Sequence, residues 1–210
     1  VTTSSVLLNE IKSPLPRQPF FSILILCWNS TQYLKECLNA LVDQSFRDFE
    51  VLLLDNGSDQ PLPTDLKESF PATHLTVMQS DKNLGFAGGN NFAAKHAKGD
   101  YIVLLNADAF PEPDWLENIN RACLNHPGYF FASRLIKAND PTILDGEWNV
   151  YHASGLAWRR NHAKSVSQAY PHQKHVFSAC AAASIYPRSA YEAVGGFDED
   201  FFSYMEDLDL

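Results

Sequence analysis

From residue 20 onward, short apolar runs alternate with stretches of helical spacing. Phe21-Ser-Ile-Leu-Ile-Leu-Cys27 has the unbroken apolar character of a strand buried on both faces. Ser30 stands where a helix cap would, and Tyr33, Leu34, Cys37, Leu38 and Leu41 follow at a 3.6-residue period. Val51–Leu54 predicts a second strand, followed by the turn residues Asp55-Asn-Gly-Ser-Asp59, with Pro61 and Pro63 lengthening the loop. A short helix near 64–70 leads to a strand over Leu75–Met78 and a loop over Asp81–Gly85. The spacing predicts a helix from Phe86 to Lys98, stopped by Gly99, and a fourth buried strand over Tyr101–Leu105. Pro113 opens a helix with Trp115, Leu116, Ile119 and Cys123 on one side, ended by Asn125-His-Pro-Gly128.

Strands alternating with helices call for a parallel sheet covered on both faces. Beyond residue 128 the pattern weakens. Segment 139–175 is polar and predicts loops and short strands; Val176–Ile185 reads as a strand and Ser189–Val194 as a short helix. Residues 1–19, with Pro14, Pro16 and Pro19, read as a leader or linker.

Composition narrows the chemistry. With 45% hydrophobic and 20% charged residues the chain can bury a core. A formal net charge of -9 argues against a nucleic-acid partner. An anionic small substrate would then need a local cation or a cluster of N–H groups. Cys27, Cys37, Cys123 and Cys180 form no CxxC pair and read as reduced core thiols, which fits a cytoplasmic setting. Neither a membrane-spanning run nor a signal peptide is visible. The sequons at Asn29 and Asn56 fall at strand ends and read as coincidental.

In open α/β sheets ligands bind beyond the carboxyl ends of the strands. Three of the four predicted strands end there in polar side chains: Trp28-Asn29, Asp55-Asn56, and Asn106 with Asp108. Carboxylates at such apolar strand ends are costly unless paired, hydrogen-bonded or metal-bound. Asp108 suits a hard divalent ion, and equally a turn or cap before Pro111. Asn83-Leu-Gly85-Phe-Ala-Gly-Gly89-Asn-Asn91 opens a helix whose free N–H groups can meet phosphate or sugar oxygens; its glycines can equally serve packing. Between 198 and 209, six carboxylates mix with aromatics. Held in a partly apolar wall they would suit a general base; Glu206 and Asp207 could also open a helix.

These five pieces, in this order over residues 21 to 210, resemble family 2 glycosyltransferases, particularly a rhamnosyltransferase-like branch. The resemblance implies the GT-A fold, a Rossmann-like three-layer α/β/α sandwich with a mainly parallel sheet, as one domain over 20–210. Residues 20–128 would be the nucleotide-sugar-binding half and 129–210 the acceptor-side half. It implies an inverting, metal-dependent hexosyltransferase in cell-surface polysaccharide biosynthesis, with a UDP- or dTDP-sugar as donor and a saccharide or lipid-linked saccharide as acceptor. Peripheral association with the cytoplasmic face of the inner membrane is compatible with it. Trp28 matches a base-stacking position, and Asp55 and Asn56 the pair that reads base and ribose. Asn83, Gly85, Gly89 and Glu206 complete the donor site. Asn106 to Asp108 matches the DxD motif, with an amide in the first position and Asp108 as ligand to Mg²⁺ or Mn²⁺; Asp207 matches the catalytic base. The family continues past this motif with an Arg and often a His, so truncation at the C-terminus is expected.

Trp148, Trp158 and Tyr151 could stack on acceptor sugars, and Arg159 and Arg160 could meet an acceptor phosphate; ordinary loop roles fit them equally. His172 and His175 read as surface histidines. A sugar nucleotidylyltransferase would need basic residues after the first strand, where Cys-Trp-Asn-Ser-Thr stands instead. A non-catalytic nucleotide-sugar-binding module is the other alternative.

Overall fold

A computed structural model describes residues 18–171 and 175–210. The expected leader therefore lies, up to residue 17, outside the described residues, as does His172. β1 (Phe21–Cys27), α1 (Thr31–Val42), β2 (Phe49–Asn56), α2 (Leu66–Ser69), β3 (Leu75–Ser80), α3 (Gly85–Ala94), β4 (Tyr101–Leu105) and α4 (Trp115–Asn125) alternate as the periodicity predicts. Then follow β5 (Phe131–Ala132), β6 (Leu135–Lys137), β7 (Asp140–Gly146), β8 (Asn149–Tyr151), β9 (Ala157–Arg159), β10 (Ala183–Pro187), α5 (Arg188–Val194) and α6 (Glu206–Asp209). The central sheet has the order β3-β2-β1-β4-β10-β5. Its first four strands are parallel, from Phe21↔Phe49 through Cys27↔Asp55 on one side of β1 and from Phe21↔Tyr101 on the other. β10 runs antiparallel to β4, with Ala183 opposite Leu105.

The strands alternate strictly between two cores, because successive side chains point to opposite faces. Phe21, Ile23, Ile25, Val51, Leu53, Val103 and Ile185 meet α1, α2 and α4 through Leu34, Leu38, Leu41, Leu66, Leu116 and Ile119. Leu24, Leu52, Ile102 and Leu104 meet α3 and α5 through Ala87, Ala93 and Tyr191. Two layers of helices thus sandwich the sheet, which is the three-layer arrangement expected. The four cysteines are free, and all but the half-buried Cys180 are buried.

Several local expectations need correction. Ser30 occupies the N-cap position of α1, but its hydroxyl points back to Cys27 Sγ and caps nothing. α3 ends at Ala94, four residues before Lys98. Gly99 therefore stops no helix; a Cβ there would meet Ser22 N at 2.6 Å, so the glycine permits close passage beside β1. α4 starts at Trp115, with Asp114 rather than Pro113 at its entry. The strand predicted over 176–185 forms only from Ala183.

Candidate active site

At the carboxyl edge of the sheet, the loops after β1 and β2 are stitched together. Asn29 takes a left-handed φ of 52° and exchanges two amide hydrogen bonds with Asp59, at 3.0 Å each. This leaves Trp28 at the tip of β1, 55% exposed. Asp55 is 3% exposed, and its Oδ1 accepts from Ser58 N at 3.0 Å, closing the turn after β2. An open cleft of about 260 Å³ lies beside it, lined by Asp55, Pro61, Leu66, Lys67, Met78 and Gln79 among others. A second, smaller cleft between α1 and α2 contains none of the strand-end acids.

Asn56 is engaged on every side. Its Nδ2 donates to Gly85 O and Asn83 Oδ1, and its Oδ1 accepts from Leu84 N. Gly89 packs α3 onto the sheet, where a Cβ would meet Leu26 Cδ2 at 2.4 Å. The free amides expected at the start of α3 are not free. Gly85 N donates to Asn83 Oδ1 at 2.8 Å. Phe86 N and Ala87 N both donate to the carbonyl of Phe202, at 2.6 and 3.2 Å. The C-terminal segment fills the anion-attracting end of the helix with its own oxygen.

Beyond β4, Asn106 N donates to Ala182 O, and Asn106 O accepts from Ala109 N, each at 3.0 Å. Asp108 is exposed and accepts no hydrogen bond from the described residues. Its charge is felt by Cys37: burial first, and the Asp108 carboxylate second, push that thiol up to about 12.

The acidic C-terminal segment is hung from α3 by Asn91. This buried amide donates to Phe197 O and Glu199 Oε1 and accepts from Phe197 N and Tyr191 Oη. The chain then turns through three left-handed residues, Phe202, Tyr204 and Met205, with φ of 57°, 72° and 73°. The apolar wall expected around these acids takes a different form. Phe201, Phe202, Tyr204 and Met205 are exposed, and only Phe197 is buried. Glu206 is the buried acid of this segment, 5% exposed, with Oε2 unpartnered among the described residues. Burial, and to a lesser extent the neighbouring Asp207 charge, raise its pKa.

Asp207 is half-buried. Its Oδ2 accepts from Ala181 N at 3.0 Å, and its carbonyl accepts from Ser178 Oγ. Ala181 is adjacent to Ala182, whose carbonyl holds Asn106. Asp207 and the Asn106–Asp108 turn therefore meet across two residues leading into β10. Asp207 Oδ1 accepts no hydrogen bond from the described residues. Sequence does not single out Ser178 or Asn149, which donates to Ser178 Oγ, and it marks Asn91 only as the end of the glycine-rich stretch. The one available signal was polar residues inside apolar stretches.

The acids present fit a divalent ion held by one carboxylate and mainly by the oxygens of a bound diphosphate. Asp108 offers an exposed, unengaged hard-oxygen donor. No group of three or more His, Cys, Asp or Glu that could cage a metal occurs among the described residues. No helix among them is long and apolar enough to cross a membrane.

A family profile described as "Glycosyl transferase family 2" matches residues 22–195. A chondroitin synthase of Escherichia coli is 36% identical over 152 residues, covering 68% of this chain and 21% of that protein. The O-antigen biosynthesis protein RfbC of Myxococcus xanthus is 27% identical, covering 100% of this chain and 17% of that protein. The chain thus spans about a fifth of the length of these relatives. Among solved structures, S. aureus TarS 1-349 in complex with UDP superposes with a TM-score of 0.65 at 20% identity, covering 90% of this chain and 52% of that one. A mannosyltransferase from Pyrobaculum calidifontis in complex with GDP-Man and Mn²⁺ gives 0.63 at 19% identity, covering 88% and 49%.

Proposed function

The chain belongs to glycosyl transferase family 2 and has the GT-A fold, and from that premise we propose that it transfers a sugar from a nucleotide-sugar to an acceptor hydroxyl with inversion. The donor is a UDP- or dTDP-linked hexose or deoxyhexose such as rhamnose. The acceptor is a saccharide or lipid-linked saccharide of a cell-surface polysaccharide. The names of the relatives, a chondroitin synthase and an O-antigen biosynthesis protein, support that class of product.

The observation that carries this reading is the junction at Ala181–Ala182. It joins a half-buried carboxylate near the end of the chain to the acidic turn after β4. With Oδ2 fixed on a backbone amide, Asp207 presents Oδ1 to an acceptor hydroxyl and takes its proton. The acceptor oxygen forms the new bond to the anomeric carbon as the bond to the diphosphate breaks, and the electron pair leaves with the diphosphate. One such displacement inverts the centre. Asp108 would hold Mg²⁺ or Mn²⁺, which when bound offsets the charge on the departing diphosphate. Trp28 offers an exposed face for the base. Asp55, in the wall of the adjacent cleft, supplies the carboxylate that reads it, while Asn56 and Asn83 hold the loop against which the donor rests.

The test is transfer by the purified protein with a panel of nucleotide-sugars, beside a thermal-shift measurement with each donor and Mn²⁺. Asp207→Asn should keep the donor-induced shift and lose about 10²–10⁴ in rate. Undiminished transfer would remove Asp207 from the reaction. Donor binding without transfer by the unmutated protein, for every acceptor, would favour a binding module instead.

A further inference from the structure

We propose that Tyr151 and Phe177 form a stacking platform for the apolar face of a pyranose ring of the acceptor, on the β8–β9 side of Asp207. The site rests on the reading of Asp207 as the base, and its chemistry is that of a neutral sugar ring rather than of a charged group.

The two rings lie nearly parallel, 17° apart with centroids at 5.7 Å. Tyr151 is 51% exposed and Phe177 61%. Folding gains little from rings left this open, since the stabilisation from an aromatic comes from the area it removes from water. Tyr151 faces Ala157 across the β8–β9 pair, so its strand neighbour is too small to cover it.

The backbone beneath the rings is fixed. Asn149 N donates to Ser178 O at 3.0 Å, and Asn149 Nδ2 donates to Ser178 Oγ and Ala179 O at 3.1 Å each. Ser178 Oγ in turn donates to the carbonyl of Asp207. Phe177 is the residue next to Ser178, so its Cα lies about 3.8 Å from that of the serine holding Asp207. An exposed aromatic pair on a rigid support, one residue from the contact that positions the base, suits a ring that must be held without a charge. The C–H groups on one face of a pyranose are the complementary surface. Trp148, another aromatic of this region, is turned edge-on to Tyr170, with centroids 5.8 Å apart, and Trp158 lies opposite Val150 in the hairpin, one position from the Tyr151–Ala157 pair.

The experiment uses the whole protein and two probes: saturation-transfer NMR with methyl glycosides of glucose, galactose, N-acetylglucosamine and rhamnose, and the thermal shift caused by UDP. At least one glycoside should receive saturation on the C–H groups of one ring face. Tyr151→Ala or Phe177→Ala should weaken that binding about three- to tenfold, the range expected for one stacking contact. Tyr151→Phe should retain it, and the UDP shift should stay unchanged in all three. A double alanine variant with undiminished saturation, or a wild type that receives none from any glycoside, overturns the platform. Failure of the transfer reading would appear elsewhere, as the absence of any donor-induced shift in the unmutated protein.

Discussion

Between residues 20 and 128 the buried side chains are mostly apolar and sit between a strand and a helix, as Leu53 does between β2 and the α1 layer. Among the described residues between 129 and 177, Leu144 is the one buried apolar side chain, and the group that gathers the loops is a carboxylate. Glu147 Oε1 accepts from Tyr170 N at 2.9 Å and Arg134 Nε at 3.3 Å, and Oε2 accepts from Asn161 Nδ2 at 2.7 Å. The first region is held by area removed from water, which is non-directional and tolerant. The second is held by directed bonds to a few atoms, which is specific and fragile. The difference suits what each carries: a rigid sheet edge on one side, and on the other a set of small hairpins whose surface can vary without disturbing the sheet.

The largest effect expected is in the first region. Leu53→Ala should cost about 2–5 kcal/mol, because a fully buried side chain leaves a cavity the sheet cannot close. Urea unfolding should shift as one transition. A loss under about 1 kcal/mol would mean that the sheet is less tightly packed than its burial indicates.

Glu147→Gln should cost about 3 kcal/mol, since three donors lose a charged acceptor. Its signature should be regional. Hydrogen exchange should quicken across 134–170 while the amides of β1 and β4 keep their protection. If β1 and β4 quickened equally, the two regions would form one cooperative unit and the contrast between them would fail.

Asn91→Ala tests how the acidic C-terminal segment is tied to the first region. It removes four hydrogen bonds that tie α5 and the segment after it to α3, and should cost about 2 kcal/mol. Because that segment leads into Glu206 and Asp207, transfer should fall further than donor binding. Equal losses in both would return Asn91 to a purely structural role.

The two regions were also unequally legible. Three of the four parallel strands carry their own signal: apolar runs of four to seven residues between turn residues give strand and burial together in β1, β2 and β4, while β3 is only half-buried. The sequence predicts β10 seven residues too early because Val176–Ala182 looks equally apolar. Those residues instead follow an irregular path that offers Ala181 N to Asp207 and Ala182 O to Asn106. No period encodes such a path, since it is fixed by partners distant in sequence. The amides of α3 misled for the same reason: a glycine-rich helix start reads as open, and only tertiary structure brings Phe202 O onto it. Asn91 ends the glycine-rich stretch, and nothing local marks it as an anchor, because its partners lie a hundred or more residues away.

The smallest effect expected is at Glu206, where the two kinds of cohesion meet: a buried carboxylate of the acidic segment whose backbone carbonyl accepts from Leu210 N, a residue packed on the apolar layer that includes Phe197. Burial raises its pKa, so the folded chain holds this proton more tightly than the unfolded chain does. Its contribution to stability is then fully present below the unfolded carboxyl value and is lost as pH climbs through the raised, folded one. Glutamine has the same shape and no proton to lose. Glu206→Gln should therefore change the midpoint little near pH 4 and raise it relative to the parent near pH 7. In a chain of this size each kcal/mol corresponds to about 2–4 °C, so the divergence should be a few degrees at most. A difference between the two proteins that stays constant from pH 4 to 8 would show that Glu206 is as well hydrated as an exposed glutamate. The acidic segment would then rest on the apolar layer too loosely for burial to govern its protons.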